Sequence, residues 1–201
     1  MSLTDEFIAE IKAEFPSFRV VSKEGDGFSK LIDVALRVIT LGGQSEYLTR
    51  YYTVIFHTLY VPGGWEATDD VERVITLRHE RIHLRQVKRY TRVGMAVLYL
   101  VPFFPLGLAY GRARIEWEAY TETIRATAEM RGLDAARSPW LRKHIVEQFV
   151  SGAYGWMWPF RGQVNRWYDR ALAQIEAEIS GSGGGHSTMG GVTSTKKGDS
   201  R

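Results

Sequence analysis

Two histidines and a glutamate within one predicted helical turn carry the clearest chemistry in this 201-residue chain. His79 and His83 lie four positions apart, and Glu80 follows the first of them, in the pattern His-Glu-x-x-His. On a helix, side chains at this spacing lie about 5–6 Å apart on one face, so both imidazoles can bind one metal ion. Glu80 lies about 100° round the helix from His79. We therefore expect it to flank the metal as a base that acts on a bound water.

The composition restricts the remaining ligands of such a metal. The chain contains no cysteine, which excludes disulfides and thiolate zinc sites. A carboxylate from a nearby helix is the natural third ligand. A later predicted helix offers Glu116 on one face, together with Tyr120, whereas Glu118 and Glu122 share a different face.

These two segments resemble the gluzincin type of zinc metallopeptidase, in which His-Glu-x-x-His is completed by a glutamate on a later helix. The resemblance covers residues 70–122. It implies a zinc-dependent peptidase, with a peptide or protein substrate and Glu80 as the general base. By the same resemblance, the Zn²⁺ ligands are His79, His83 and Glu116. Tyr120 stands where the family usually has an aspartate that orients a ligating histidine.

An oxyanion donor is also expected in such a site. The candidates are Tyr120, Tyr154 and His144. Tyr120 could instead bond a ligating histidine, and His144 could instead be a partly buried helix histidine without a catalytic role. The segment Tyr51–Val61 is rich in aromatic and β-branched residues and reads as one or two strands, which could pair with an extended peptide substrate.

The elements that must position these residues are mostly helices. The motif helix is predicted from about Asp70 to Tyr90, and the second ligand helix from Arg112 to Arg131, with Gly132 ending it. Further amphipathic helices are predicted at 4–15, 139–149 and 164–179. The segment 29–39 has helical periodicity as well, but its β-branched residues also allow a strand. The sequence therefore predicts a mostly helical α+β fold, in which a small β-sheet packs against a zincin-like pair of active-site helices.

An uncharged apolar run, Val93–Gly111, separates the two ligand helices and is long enough for a transmembrane helix. Pro102 and Pro105 interrupt it, however. If the ligands meet at one ion, both ends of the run lie on the same side of any membrane. The run must then turn back on itself, either as a buried hairpin, which we favour, or as a shallow membrane-inserting loop.

One face of the motif helix is rich in basic residues. This face is either solvated or a patch for anionic partners or lipid headgroups. It comprises Arg78, Arg81, Arg85, Lys88, Arg89 and Arg92. The alternative function is therefore a non-catalytic protein, metal-stabilised or membrane-peripheral, that binds through this face and the apolar run.

Composition and charge indicate the domain organisation, the expected partners and the expected location of the protein. A hydrophobic fraction of 44% supports one packed domain over residues 1–179, followed by a disordered Gly/Ser/Thr-rich tail over 180–201. The net charge is only +3, so we expect no nucleic-acid partner, and no obligate protein partner is inferred. The acidic N-terminal segment does not resemble a signal peptide, which leads us to expect a cytoplasmic location.

Overall fold

The computed structural model describes residues 1–23, 52–55, 57–100, 109–151 and 157–183. They form a mostly helical α+β fold. The helices are α1 (Leu3–Glu14), α2 (Asp70–Leu100), α3 (Tyr110–Arg131), α4 (Leu133–Ala136), α5 (Pro139–Val150) and α6 (Arg161–Gly183). The strands are β1 (Arg19–Ser22), β2 (Thr53–Ile55) and β3 (Thr58–Val61). The segment 29–39 and the candidate Tyr154 lie outside the described residues.

The three strands form one small mixed sheet with the order β1-β3-β2. β3 is central: it runs parallel to β1, with Arg19 opposite Thr58, and antiparallel to β2, with Thr53 opposite Tyr60. The predicted strand segment Tyr51–Val61 is thus confirmed as two strands. Alternate residues of β3 point inward. The core beneath them contains Ile11, Phe15, Phe18, Leu59, Val61, Trp65, Leu77 and Leu84. Because this core joins the sheet to α1 and α2, the sheet packs against the motif helix, as predicted.

α2 begins at Asp70, where the Asp69 carboxylate accepts a hydrogen bond from the backbone N–H of Glu72 at 3.2 Å. The helix is interrupted at Thr91, which has φ 63° and ψ 166°. That backbone region is strained for any residue except glycine. The break follows the predicted helix end at Tyr90 directly, but helical structure then resumes and reaches Leu100.

α3 packs along α2 in the opposite direction. Near its end, Glu129 accepts a hydrogen bond from Arg78 at 2.5 Å, and near its start, the carbonyl of Ile115 accepts one from Gln86 at 3.0 Å. Early residues of α2 therefore meet late residues of α3. α3 ends at Arg131, before Gly132 with φ 90°, as predicted.

A second core lies on another side of α3, against α5 and α6. It includes Ala113, Ile124, Ile145, Phe149, Val164, Tyr168 and Ile175. α5 begins as predicted, with the Ser138 hydroxyl accepting from the Leu141 backbone N–H and Pro139 in the first turn. α6 continues through Gly183, four residues beyond the predicted domain boundary at 179. α3 is thus held on both sides, which fixes the helix that carries Glu116.

The described ends of the apolar run lie against each other. A Cβ on Gly111 would come within 2.9 Å of Leu98, so the start of α3 lies against the last turn of α2. The expectation of a buried hairpin is not met at these ends, because Val93 is 75% exposed and Val97 and Tyr110 are each 53% exposed. Among the described residues, no helix is long and apolar enough to cross a membrane.

Much of the basic face of α2 is an internal interface. Arg81 and Arg85 each lie 2.8 Å from the Glu14 carboxylate of α1, and Arg78 bonds to Glu122 of α3. These arginines therefore join α2 to its two neighbouring helices.

Candidate metal centre

The packing of α2 on α3 brings together His79, His83 and Glu116, whose donor atoms all lie within 4.8 Å of one another. The two Nε2 atoms are 3.2 Å apart. Oε2 of Glu116 lies 3.7 Å from Nε2 of His83 and 4.0 Å from Nε2 of His79. Donors of a tetrahedral zinc site, with bonds of about 2.0–2.1 Å, lie about 3.3 Å apart. The three side chains fit such an ion after inward movements of well under 1 Å.

The Gln86 side chain determines which nitrogen of His83 faces this group. Its amide nitrogen donates to the Ile115 carbonyl at 3.0 Å and to the Glu118 carboxylate at 2.8 Å. Because both of these groups are acceptors only, the amide oxygen must point the other way, where it lies 2.9 Å from Nδ1 of His83. Nδ1 therefore carries the proton, and Nε2 of the neutral ring presents a lone pair to the centre.

Thr123 plays the corresponding part for His79. Its hydroxyl lies 3.0 Å from Nδ1 of His79 and donates its own proton to the Ala119 carbonyl at 3.3 Å. The hydroxyl oxygen therefore accepts from Nδ1–H of His79. Nε2 of this histidine also faces the centre as an acceptor.

Two lone pairs facing each other at 3.2 Å repel unless a cation or a shared proton lies between them. The nearby Glu116 carboxylate adds negative charge at the same point and is only 4% exposed. Such a donor set, buried and oriented from outside, has the chemistry of a metal centre with N and O ligands.

Burial and charge shift the titration of the residues in this centre. Burial is the main cause that raises the pKa of Glu80, which is 7% exposed, to about 7; His83 and Lys23 lower this pKa, and Glu116 contributes to raising it. Burial, and to a lesser extent the neighbouring His83, hold the pKa of His79 well below its usual range, although a hydrogen bond with the backbone of Ala119 opposes this. Burial also opposes charging of His83, but Glu116 and Glu80 outweigh it and raise the His83 pKa.

The remaining predicted site residues lie in different places. The Tyr120 ring is close to the centre and packs edge-on against the His79 ring, with 4.7 Å between centroids. His144 is exposed on α5 and stacks on the ring of Trp140 at 5.4 Å. It is not part of the group formed by the three predicted ligands.

Sequence reasoning did not identify Gln86 or Thr123 as parts of the site. Gln86 lies three residues after His83, and Thr123 lies on the same face of α3 as Glu116. Helical spacing therefore contained the signal for both. The gluzincin pattern places the orienting group at the position of Tyr120, so the resemblance pointed to neither residue.

A separate cleft of about 330 Å³ lies between α1, α2 and α3. It is lined by Phe7, Val74, Arg78, Arg81, Ile82, Arg85, Glu122 and Met130. None of the three predicted ligands lines it. We place the candidate site at the convergent ligands, because they combine orientation, burial and metal-binding chemistry.

Comparisons of the chain with protein-family models, with curated proteins and with solved structures found no match. The assignment of the site therefore rests on its own residues.

Proposed function

We propose that the protein is a zinc-dependent peptidase, with α2, α3 and the small sheet arranged as in the zincins. The observation that carries this proposal is the convergence of three oriented ligands, His79, His83 and Glu116. The buried carboxylate of Glu80 is close enough to interact electrostatically with two of them, His83 and Glu116. The fourth position of a tetrahedral ion then remains available for water or substrate.

Each residue has a defined part in the proposed reaction. Zn²⁺ held by the three ligands would supply Lewis-acid activation of a water molecule and of a substrate carbonyl. The Glu80 carboxylate accepts the proton of the attacking water and passes it to the leaving amine. A carboxyl whose pKa is raised to about 7 can both accept and release a proton near neutral pH.

Of the two oxyanion-donor candidates that the structure describes, Tyr120 is better placed than His144, because its ring contacts the ring of His79. A phenol hydroxyl can donate a hydrogen bond to the developing negative charge on the carbonyl oxygen. The exposed position of His144 favours its alternative interpretation, that of a helix histidine without a catalytic role.

The sheet offers a place for an extended substrate. β3 is paired on both sides, whereas β2 is an edge of the described sheet. A peptide could add to such an edge through backbone hydrogen bonds, which give affinity without requiring a particular sequence. We propose β2 as the strand that aligns the scissile bond.

The direct test measures bound zinc and peptide hydrolysis in the wild type and in Glu80→Gln. We expect stoichiometric zinc in both and hydrolysis only by the wild type, because the amide cannot accept the proton. Glu72→Gln, at an exposed site on the same helix, is the matched control and should remain active. Equal hydrolysis by wild type and Glu80→Gln would overturn the role of Glu80, and absence of zinc would overturn the metal site.

A second candidate function is contact with an anionic membrane surface through Val93, Val97 and Tyr110. It is favoured by the exposure of these three apolar side chains and by the exposed basic residues Lys88 and Arg114 nearby in the sequence. Apolar side chains beside basic ones match the interface of a negatively charged bilayer.

Vesicle flotation tests this second function. The wild type should float with phosphatidylserine-containing vesicles and less with neutral ones, and Val93→Ser/Val97→Ser should float less. Leu3→Ser removes an exposed apolar side chain on α1 and serves as the control. Equal flotation of all variants would refute membrane contact. A concentration-dependent dimer that the double substitution abolishes would assign the surface to a second copy of the chain instead.

A further inference from the structure

The hydrogen bonds of His83 continue beyond Gln86 to the surface of the protein. Gln86 is completely buried, and its amide nitrogen donates to Oε2 of Glu118 at 2.8 Å. Glu118 in turn pairs with Arg89 at 3.0 Å; the Glu118 side chain is 40% exposed and the Arg89 side chain is 55% exposed. A continuous chain of polar contacts thus links a predicted metal ligand to a charged pair at the surface.

We propose that Glu118 is a positioning residue that sets the metal affinity of the centre through Gln86 and His83. This inference rests on the metal site of the proposed function, but not on peptide hydrolysis. Glu118 lies two residues from Glu116, on a different face of α3, and would touch no metal itself.

The physical basis is polarisation along the chain of hydrogen bonds. The Glu118 carboxylate accepts a hydrogen bond from the amide nitrogen of Gln86 and thereby polarises the whole amide group. The amide nitrogen becomes more positive and the amide oxygen more negative. That oxygen accepts from Nδ1–H of His83, so Nε2 becomes a stronger electron donor. A carboxylate two contacts away thereby acts on the ligand without entering the site.

Glu118 also holds the amide in its orientation. If the Gln86 side chain rotated by 180°, its NH₂ group would face Nδ1–H of His83, and its oxygen would face Glu118 and the Ile115 carbonyl. Both sets of contacts would then be repulsive. The negative charge of Glu118 strengthens the preference for the observed orientation, which keeps Nε2 of His83 free of a proton.

The test compares Zn²⁺ dissociation constants, measured by competition with a chromophoric chelator, for wild type, Gln86→Leu, Glu118→Gln and Glu122→Gln. Glu122 is the matched control, because it lies one turn further along α3 and also pairs with an arginine of α2. Loss of an outer-shell partner typically weakens metal binding by about 10–100-fold. We expect a loss in that range for Gln86→Leu, about 3–10-fold for Glu118→Gln, and less than about twofold for Glu122→Gln.

A second measurement separates this effect from general loosening of the helices. The ¹⁵N chemical shifts of His83 in the metal-free protein report which ring nitrogen carries the proton. We expect the Nδ1–H form in the wild type, a mixture of tautomers in Gln86→Leu, and wild-type shifts in Glu122→Gln. Wild-type affinity in Glu118→Gln, or equal losses in Glu118→Gln and Glu122→Gln, would overturn the inference. Absence of zinc binding by the wild type would overturn the metal site as well.

Discussion

The hydroxyl of Thr123 lies 3.0 Å from Nδ1 of His79, so a threonine orients this histidine. The gluzincin resemblance assigns that task to an aspartate at the position of Tyr120. A neutral hydroxyl fixes the proton on Nδ1 as a carboxylate would. Its hydrogen bond is weaker than that of a charged acceptor, so it makes the imidazole a weaker electron donor to a metal than a carboxylate would. The second ligand, His83, has an amide partner backed by a carboxylate, and the two histidines are therefore supported unequally.

Replacing Thr123 by valine keeps the side-chain shape and removes the acceptor. We expect Zn²⁺ affinity to fall by about tenfold, because Nδ1–H of His79 then loses its hydroxyl acceptor and keeps only the Ala119 carbonyl. Thr123→Ser restores the hydroxyl and should retain nearly wild-type affinity. Thr127→Val is the control, since the Thr127 hydroxyl donates to the backbone one turn further along α3. Equal affinity in Thr123→Val and wild type would show that this hydrogen bond does not support the ligand.

Glu116→Gln should remove the response of the fold to zinc. Saturating Zn²⁺ should raise the thermal midpoint of the wild type, because an ion that binds only the folded state stabilises it. The variant keeps the shape of the side chain but offers a neutral amide oxygen, so its midpoint should change little. Without metal, the variant should be at least as stable as the wild type, since a buried charge has been removed. A large zinc-induced rise in the variant would exclude Glu116 as a ligand.

Glu14 should make the docking of α1 sensitive to acid. Hydrogen bonds from Arg85 and Arg81 lower the pKa of Glu14 from 4.5 to about 2, although partial burial opposes this. Because the folded-state pKa is depressed, the stabilisation is present above pH 4.5 and is lost as the pH falls toward 2. Glu14→Gln should reduce the free energy of unfolding by about 1 kcal/mol at pH 7, and the difference should vanish near pH 2.

Urea denaturation across this pH range checks the prediction. Glu6→Gln, at an exposed position on the same helix, should behave as the wild type at every pH. A Glu14→Gln effect that stayed constant down to pH 2 would indicate lost packing and not a lost ion pair.

Local patterns in the sequence predicted the elements that depend on local rules. The His79–His83 spacing implied a helix with both rings on one face. Gly132 marked the C-terminal end of α3, and the Ser138-Pro139 pair marked the start of α5. These features follow from helix geometry and capping, which act over a few residues. The two ligand helices could be predicted in this way.

Long-range features could not be predicted in the same manner. The parallel pairing of Arg19 with Thr58 joins distant segments, and neither segment alone specifies its partner. Thr91 adopts a positive φ that its β-branched side chain disfavours, so its residue type gave no signal for the break in α2. The exposure of Val93 and Val97 depends on the packing of neighbouring helices, which hydropathy alone does not give.

Tyr168 should contribute to stability through one buried hydrogen bond. Its hydroxyl donates to the Ala136 carbonyl at 2.6 Å and thereby ties α6 to the short helix α4. Tyr168→Phe leaves that carbonyl without its donor, which should reduce the free energy of unfolding by about 1–3 kcal/mol. Tyr110→Phe, at an exposed position, is the control and should change stability little. An equally small effect of both substitutions would mean that water replaces the lost donor at Ala136.

The same residue should limit stability at alkaline pH. Burial raises the pKa of Tyr168 from 10.0 to about 12, with Arg142 acting in the opposite direction. The folded state therefore binds this proton more tightly than the unfolded state, and the resulting stabilisation is present below pH 10 and is lost as the pH rises toward 12. Tyr168→Phe cannot ionise, so its free energy of unfolding should fall less steeply than that of the wild type between pH 10 and 12. Parallel profiles for the two proteins would show that other groups cause the alkaline loss.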